Sequence, residues 1–324
     1  MKIDVFNHLM PRSYLARLER TPLVRRHEAL PTLWDLEARL RLLDQFDDLQ
    51  QVISLAGPAV ETAAPQGAAE LARAANDELA EVSRRHKDRF PAFLATLPMG
   101  EPEAALREMD RCAEELGATA VQIYTNVAGR PLDDPRYFPV LEHAARSDLT
   151  VFLHPTRGPK DIPDYPAEDS SRFEMWWVFG WPYETSVAMG RLVYSGIMER
   201  LPELRIVTHH LGGMVPYFEG RLAPGLDHVG ARSGEPDHTL SRRPIEYFKS
   251  FYADTALCGG QAGTRCGYEF FGEDRCLFAT DAPFDAEGGA MSIRDTLQAV
   301  EALDLGEAQR RKLYEGNAKR LLRL

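Results

Sequence analysis

A chain of 324 residues that is 44% hydrophobic and 27% charged has an ordinary globular composition and enough length to bury a large core, which excludes disorder, collagen and coiled coil. Its 38 basic against 49 acidic residues leave a net charge of −11, so no nucleic-acid partner is expected, and an anionic ligand needs a local basic pocket. No apolar run reaches the roughly 18 to 20 residues of a membrane helix, the four cysteines follow no metal-finger spacing, and the opening MKIDVFNHLM lacks signal-peptide features; the expectation is a cytoplasmic protein with no membrane partner.

In chain order, short apolar runs at 2–6, 51–55, 91–97, 120–124, 150–153, 205–208, 250–254 and 276–279 predict eight strands. Amphipathic stretches predict helices over 33–46, 68–85, 101–116, 135–146, 185–200 and 244–249, with 290–303 and 307–321 closing the chain. Strands alternating with helices imply parallel strands joined by crossovers, and eight such units predict an α/β fold of the (β/α)8 TIM-barrel type. No glycine-rich phosphate loop follows the first strand, which argues against an open dinucleotide-binding sheet. We expect one domain over 1–324, with lid insertions near 9–32, rich in Arg and Pro, and 155–184, rich in Pro, Trp and Asp.

Working groups of a barrel enzyme sit where strands end. Here His8 follows the first run, His154 the fifth, His209 and His210 the sixth, and Asp281 the eighth. Imidazoles and a carboxylate converging on one rim suit a divalent cation such as Zn²⁺ and leave a position for water or substrate. Period-two alternation sends His209 and His210 to opposite faces, and it places Phe6 and His8 on one face with Asn7 on the other. Arg39 reads as a surface residue pairing at helical spacing, Glu184 as a helix-start residue, and Cys258 and Cys276 as small core residues. Trp176, Trp177 and Trp181 could wall an apolar pocket for a ring, with Trp176 the candidate contact.

These residues, with TLWDLEARLRLLDQF, GWPYETSVAM, LPELRIVTHHLGGMVP, FYADTA, FATDAPF and GNAKRLL, resemble the amidohydrolase superfamily, in particular the branch around 2-amino-3-carboxymuconate-6-semialdehyde decarboxylase and its aromatic-acid decarboxylase relatives. The resemblance spans almost the whole chain. It implies a distorted (β/α)8 barrel, one divalent metal (Zn²⁺ first, Mn²⁺ as alternative) and cleavage of C–C or C–O bonds in a small carboxylic acid. By that resemblance His8, His154 and Asp281 are metal ligands. His210, at the start of an HxGG pattern, is the acid/base beside them, with Asp281 as ligand and base, and His209 packs behind. Arg25 or Arg26 would meet a substrate carboxylate, and a homodimer, frequent among such relatives, could bring an arginine across an interface. The family's DxHxH reads here as Asp4–Val5–Phe6–Asn7–His8, with phenylalanine in place of one ligand. Decarboxylation is the leading expectation. Hydrolysis of a lactone, amide or C–C bond by Asp281-activated water, with or without metal, is the alternative that Phe6 keeps open, and a non-catalytic binding protein ranks last.

Overall fold

The computed structural model describes residues 1–18, 29–222 and 240–324. Eight parallel strands form the barrel in chain order: β1 (Lys2–Leu9), β2 (Leu49–Leu55), β3 (Ala95–Thr96), β4 (Ala120–Tyr124), β5 (Thr150–His154), β6 (Arg205–Thr208), β7 (Tyr252–Asp254) and β8 (Cys276–Leu277). The ladders join β1 to β2 and β3 through β8 in sequence. Two seams remain, and backbone hydrogen bonds close both. Leu94 N–H donates to Ile53 O at 2.9 Å between β2 and the β3 segment. Val5 N–H donates to Phe278 O at 2.9 Å, and Asp281 N–H to Phe6 O at 3.1 Å, between β1 and the end of β8. With those bonds the sheet has no free edge, and the (β/α)8 barrel is complete.

Crossover helices cover the barrel, from Leu36–Leu43 and Ala68–Arg85 through Gly180–Tyr194 and Gln261–Phe271 to Ala290–Glu301. Several bounds differ from those that periodicity predicts. The helix expected over 33–46 is broken at Asp35, whose extended backbone and side chain cap the helix that follows. The helix expected over 185–200 starts earlier, at Gly180, and ends at Tyr194, and Gly196, where φ is 75°, separates it from a short helix over Ile197–Arg200. Periodicity missed Gln261–Phe271 because Gly263 and Gly267 weaken its helical signal. Gly267 is there for packing: a Cβ would come 2.7 Å from the Leu211 side chain, so only glycine lets this helix approach the loop after β6.

Inside the barrel, Ile3, Val5, Phe6, Val52, Leu94, Ala120, Phe152, Val207, Ala256 and Leu277 pack together, and Ala318, Leu321 and Leu322 of the last helix plug the lower end. For Ile3 and Val5 to face inward together with Phe6, the alternation of β1 must slip by one residue. It does: Asp4 pairs with Gln51 but Asn7 pairs with Ile53, a bulge between Asp4 and Asn7. Past the bulge Phe6 and His8 share the inner face, as expected, and Asn7 turns outward.

Arg39 is not at the surface. It is fully buried between helix Leu36–Leu43 and the bulge, donating to Gln51 Oε1 at 2.9 Å, Thr32 O at 2.8 Å, Asn7 Oδ1 at 3.4 Å and His8 O. Gln51 Nε2 in turn donates to Asp4 Oδ2 at 2.9 Å. Burial lowers the guanidinium to about 10, against the raising effect of Asp4, and it pushes the Asp4 carboxyl up to about 6 despite hydrogen bonds from Thr280 and Gln51. Cys276 is buried as expected, whereas Cys258 is exposed on the loop after β7.

Short strands borrow hydrogen bonds from helix side chains. Asn76 on Ala68–Arg85 accepts from Thr96 N–H at 2.8 Å and donates to Thr96 O at 2.9 Å, extending the two-residue ladder of β3. Truncation to alanine orphans both buried backbone groups and a bond to Glu108. We expect Asn76→Ala to cost about 2–3 kcal/mol in urea unfolding, and a loss within about 0.5 kcal/mol would refute the clamp.

Candidate metal centre and active site

Four strand ends bring polar groups to the same mouth of the barrel: His8 at β1, His154 at β5, His209 after β6 and Asp281 after β8. One ligand atom from each lies within 4.8 Å of all the others. His8, His154 and His209 are buried, so any nitrogen not hydrogen-bonded must be used in some other way.

The hydrogen bonds fix which nitrogen each ring presents. Ser54 Oγ gives its one proton to Asn7 O at 2.7 Å, so at 3.0 Å it can accept from His8 Nδ1, which leaves His8 Nε2 directed at Asp281 Oδ1, 3.1 Å away. His154 Nδ1 donates to Pro155 O at 2.6 Å, and His209 Nδ1 donates to Asp254 Oδ2 at 2.6 Å. Each ring is thus anchored through Nδ1, with Nε2 left for the common centre. That is the outer-shell arrangement that orients histidine ligands of a metal. Burial, and then the neighbouring His8 and His209, hold His154 well below the ordinary imidazole range, which keeps it neutral and able to donate its lone pair.

Asp281 faces two ways. Oδ1 lies 3.1 Å from His8 Nε2 and 3.4 Å from His209 Nε2, while Oδ2 lies 3.5 Å from His210 Nε2. Burial raises its carboxyl, but the charge of His209 and the close approach of the His209, His210 and His8 imidazoles outweigh that and hold it well below the usual carboxylate range. His209 is pushed up to about 10, burial being overcome by Asp254 and Asp281, and the proton this holds on Nε2 is one that a bound cation would displace. Three imidazole nitrogens and one carboxylate oxygen fit a divalent cation by number, type and convergence, and His209 Nε2 has no hydrogen-bond partner of its own among the described residues.

The expectation that His209 packs away from the site is corrected by the turn after β6. His209 is still extended, but His210 and Leu211 have φ of 54° and 47°, so alternation ends and both imidazoles swing to the same side, their centroids 3.8 Å apart. The turn depends on Gly213, with φ of 61°, where a Cβ would come 2.3 Å from Pro182 O at the start of helix Gly180–Tyr194. Histidines preceding a glycine pair were the available signal for such a turn. His210 Nδ1 is buried and has no hydrogen-bond partner among the described residues.

Aromatic rings wall the mouth. Trp181 lies 5.6 Å from the His154 ring and 6.4 Å from His210, nearly parallel to the latter at 23°, and Trp176 stands edge-on behind it at 5.5 Å. Phe284, which the sequence reading did not single out, lies 5.5 Å from His8 and is 46% exposed. Arg25 and Arg26 lie outside the described residues. A cation the sequence reading passed over, Arg157, sits at the start of the 155–184 insertion; its carbonyl accepts from Trp181 Nε1 at 3.1 Å, and it faces Glu184 at 4.0 Å. Glu184 sits near the start of its helix, as expected, and Asn126 donates to it at 3.4 Å.

The amidohydrolase family model matches residues 3–324. The chain is 30% identical over 299 residues to 2-amino-3-carboxymuconate-6-semialdehyde decarboxylase of Dictyostelium discoideum, covering 90% of this chain and 77% of that one. It is 34% identical over 301 residues to gamma-resorcylate decarboxylase of Polaromonas sp. JS666, covering 89% and 87%. Among solved structures, a dihydroxybenzoic acid decarboxylase from Polaromonas sp. JS666, with bound manganese and the inhibitor 2-nitroresorcinol, superposes with a TM-score of 0.79 at 28% identity, covering 100% of this chain and 97% of that one.

Ser54 anchors the His8 ring through Nδ1 without itself touching the centre, so Ser54→Ala should leave the fold intact and weaken Zn²⁺ or Mn²⁺ binding by about 10–100-fold in chelator competition. Unchanged affinity would count against His8 Nε2 as a ligand.

Proposed function

The chain belongs to the amidohydrolase family, and on that premise we propose that it is a metal-dependent lyase that removes CO2 from a small aromatic or unsaturated carboxylic acid. The observation that carries the proposal is the division of Asp281, with one oxygen among the clustered imidazoles and the other facing His210. One oxygen can then serve a cation while the other exchanges a proton with a neighbouring acid/base.

His8 Nε2, His154 Nε2 and Asp281 Oδ1 would hold the cation, which when bound supplies a Lewis-acidic anchor for the substrate carboxylate or the oxygen next to it. Zn²⁺ suits the nitrogen-rich donor set, and Mn²⁺ is the alternative supported by the manganese-containing relative. His210 Nε2 carries the proton to the ring carbon that bears the carboxylate. The C–C bond then breaks, its electron pair returns to the ring, and CO2 leaves. Burial lowers the His210 imidazole, with His209 adding to the effect, which makes it a readier proton donor once charged. Trp181 and Phe284 give a flat substrate two apolar walls and exclude water, with Trp176 backing Trp181. Arg25 or Arg26 of the first insertion is assigned to the substrate carboxylate, on one barrel domain over 1–324 that works as a homodimer in the cytoplasm. Hydrolysis by Asp281-activated water is the competing reading, and its product differs.

Metal-loaded protein should release CO2 from at least one member of a panel of ortho-hydroxy aromatic and muconate-type acids, and chelation should abolish the release. His210→Asn should lower kcat by about 10²–10⁴-fold with metal content unchanged. No CO2 from any acid in the panel would defeat the proposal, and hydrolytic products in its place would install the alternative.

A further inference from the structure

The inner face of β1 offers the cluster a phenyl ring, which has no lone pair to give. Phe6 is fully buried, its centroid 4.3 Å from the His209 ring and 5.6 Å from that of His154, so it occupies space directly beside the converging nitrogens. Three features of His209 coincide at that spot. Its Nδ1 is tied to Asp254, itself fully buried and further held by the backbone N–H groups of His210 and Ala256, each at 3.1 Å from Oδ1. Its Nε2 is buried and has no hydrogen-bond partner among the described residues. That same nitrogen stands 3.4 Å from Asp281 Oδ1, the oxygen that also meets His8. A histidine serving only to pack would not require a buried carboxylate to aim its other nitrogen at three further donor groups.

We propose that His209 is the fourth protein ligand of the metal, reaching from the end of β6 into the position that β1 leaves to Phe6, with Asp254 as its orienting carboxylate. The inference rests on the metal-dependent reading above and goes beyond it in the ligand set. It gives two adjacent histidines different roles, since His209 binds and His210, which meets only the outer oxygen of Asp281, is left to move protons. It also explains how the site keeps four donors without a second histidine on β1. Because the Phe6 and His209 rings are neighbours, an imidazole at position 6 would lie beside the same nitrogens.

The test is metal binding, read without any substrate. Wild-type protein should bind one equivalent of Zn²⁺. His209→Asn should bind at least about 100-fold more weakly, beyond the roughly 10–100-fold that orienting residues contribute, and the double variant Phe6→His/His209→Asn should regain at least about tenfold. Asp254→Asn should fall between wild type and His209→Asn. For a readout that needs no loss of a buried side chain, wild-type protein with ¹⁵N-labelled histidine and ¹¹³Cd²⁺ should show three histidine nitrogens coupled to the metal, and all three should persist in His210→Asn. Zn²⁺ affinity of folded His209→Asn within about threefold of wild type, or only two coupled nitrogens, would overturn the assignment while leaving metal dependence standing. A wild-type protein that takes up no metal would overturn both.

Discussion

The site depends on a single extra residue in the first strand. A regular β1 that buries Ile3 and Val5 in the barrel would turn Phe6 and His8 outward, and the bulge between Asp4 and Asn7 is what lets both sets face in. Such a slip leaves polar backbone and side-chain groups without ladder partners, and the buried cluster of Asp4, Gln51, Asn7 and Arg39 supplies them. A guanidinium and a carboxyl so deep in the protein are stabilising only while each is hydrogen-bonded, since removing one partner of a buried charged network costs about 3–5 kcal/mol. The network therefore fixes the register of β1, and with it the position of His8.

Rigidity is repeated at each of the other donors by different means. His154 is held by the carbonyl of the residue after it, His209 by a carboxylate from the next strand, and His8 by a serine whose own proton is committed elsewhere. Asp281 has φ of 59°, a left-handed conformation that for a non-glycine residue costs on the order of 1 kcal/mol, and its backbone N–H is tied to Phe6 O. The left-handed backbone at His210, Leu211 and Asp281 lies in the loops that carry the working groups, and the packed barrel beneath them holds it in place.

Much of this was legible in the sequence, for reasons that particular residues make clear. Alternation of apolar runs with amphipathic stretches was enough for the eight-unit barrel, and His8, His154 and Asp281 stood out because each is a strong donor at the end of an apolar run. What alternation could not show is where alternation stops. His209 was assigned to the wrong side because the turn at His210 and Leu211 follows from a close approach between Gly213 and Pro182, two segments distant in the chain. Arg39 looked like any helical surface arginine, because its partners come from two strands and an unseen bulge. Helix Gln261–Phe271 was hidden by glycines whose purpose is tertiary.

The seam between β1 and β8 has one more consequence. His8 and Asp281 are 273 residues apart in sequence, yet they are in contact, and the backbone bonds that join their strands are also those that close the barrel. No fragment lacking either end can assemble the donor set. During synthesis the cluster of His8, His154, His209 and Asp281 comes together only after the last strand has left the ribosome and met the first. Contacts of such long range are slow to form, because the loop entropy must be overcome before any bond is gained. A cation captured at the rim would then act as a latch across that seam, linking occupancy of the site to the integrity of the fold.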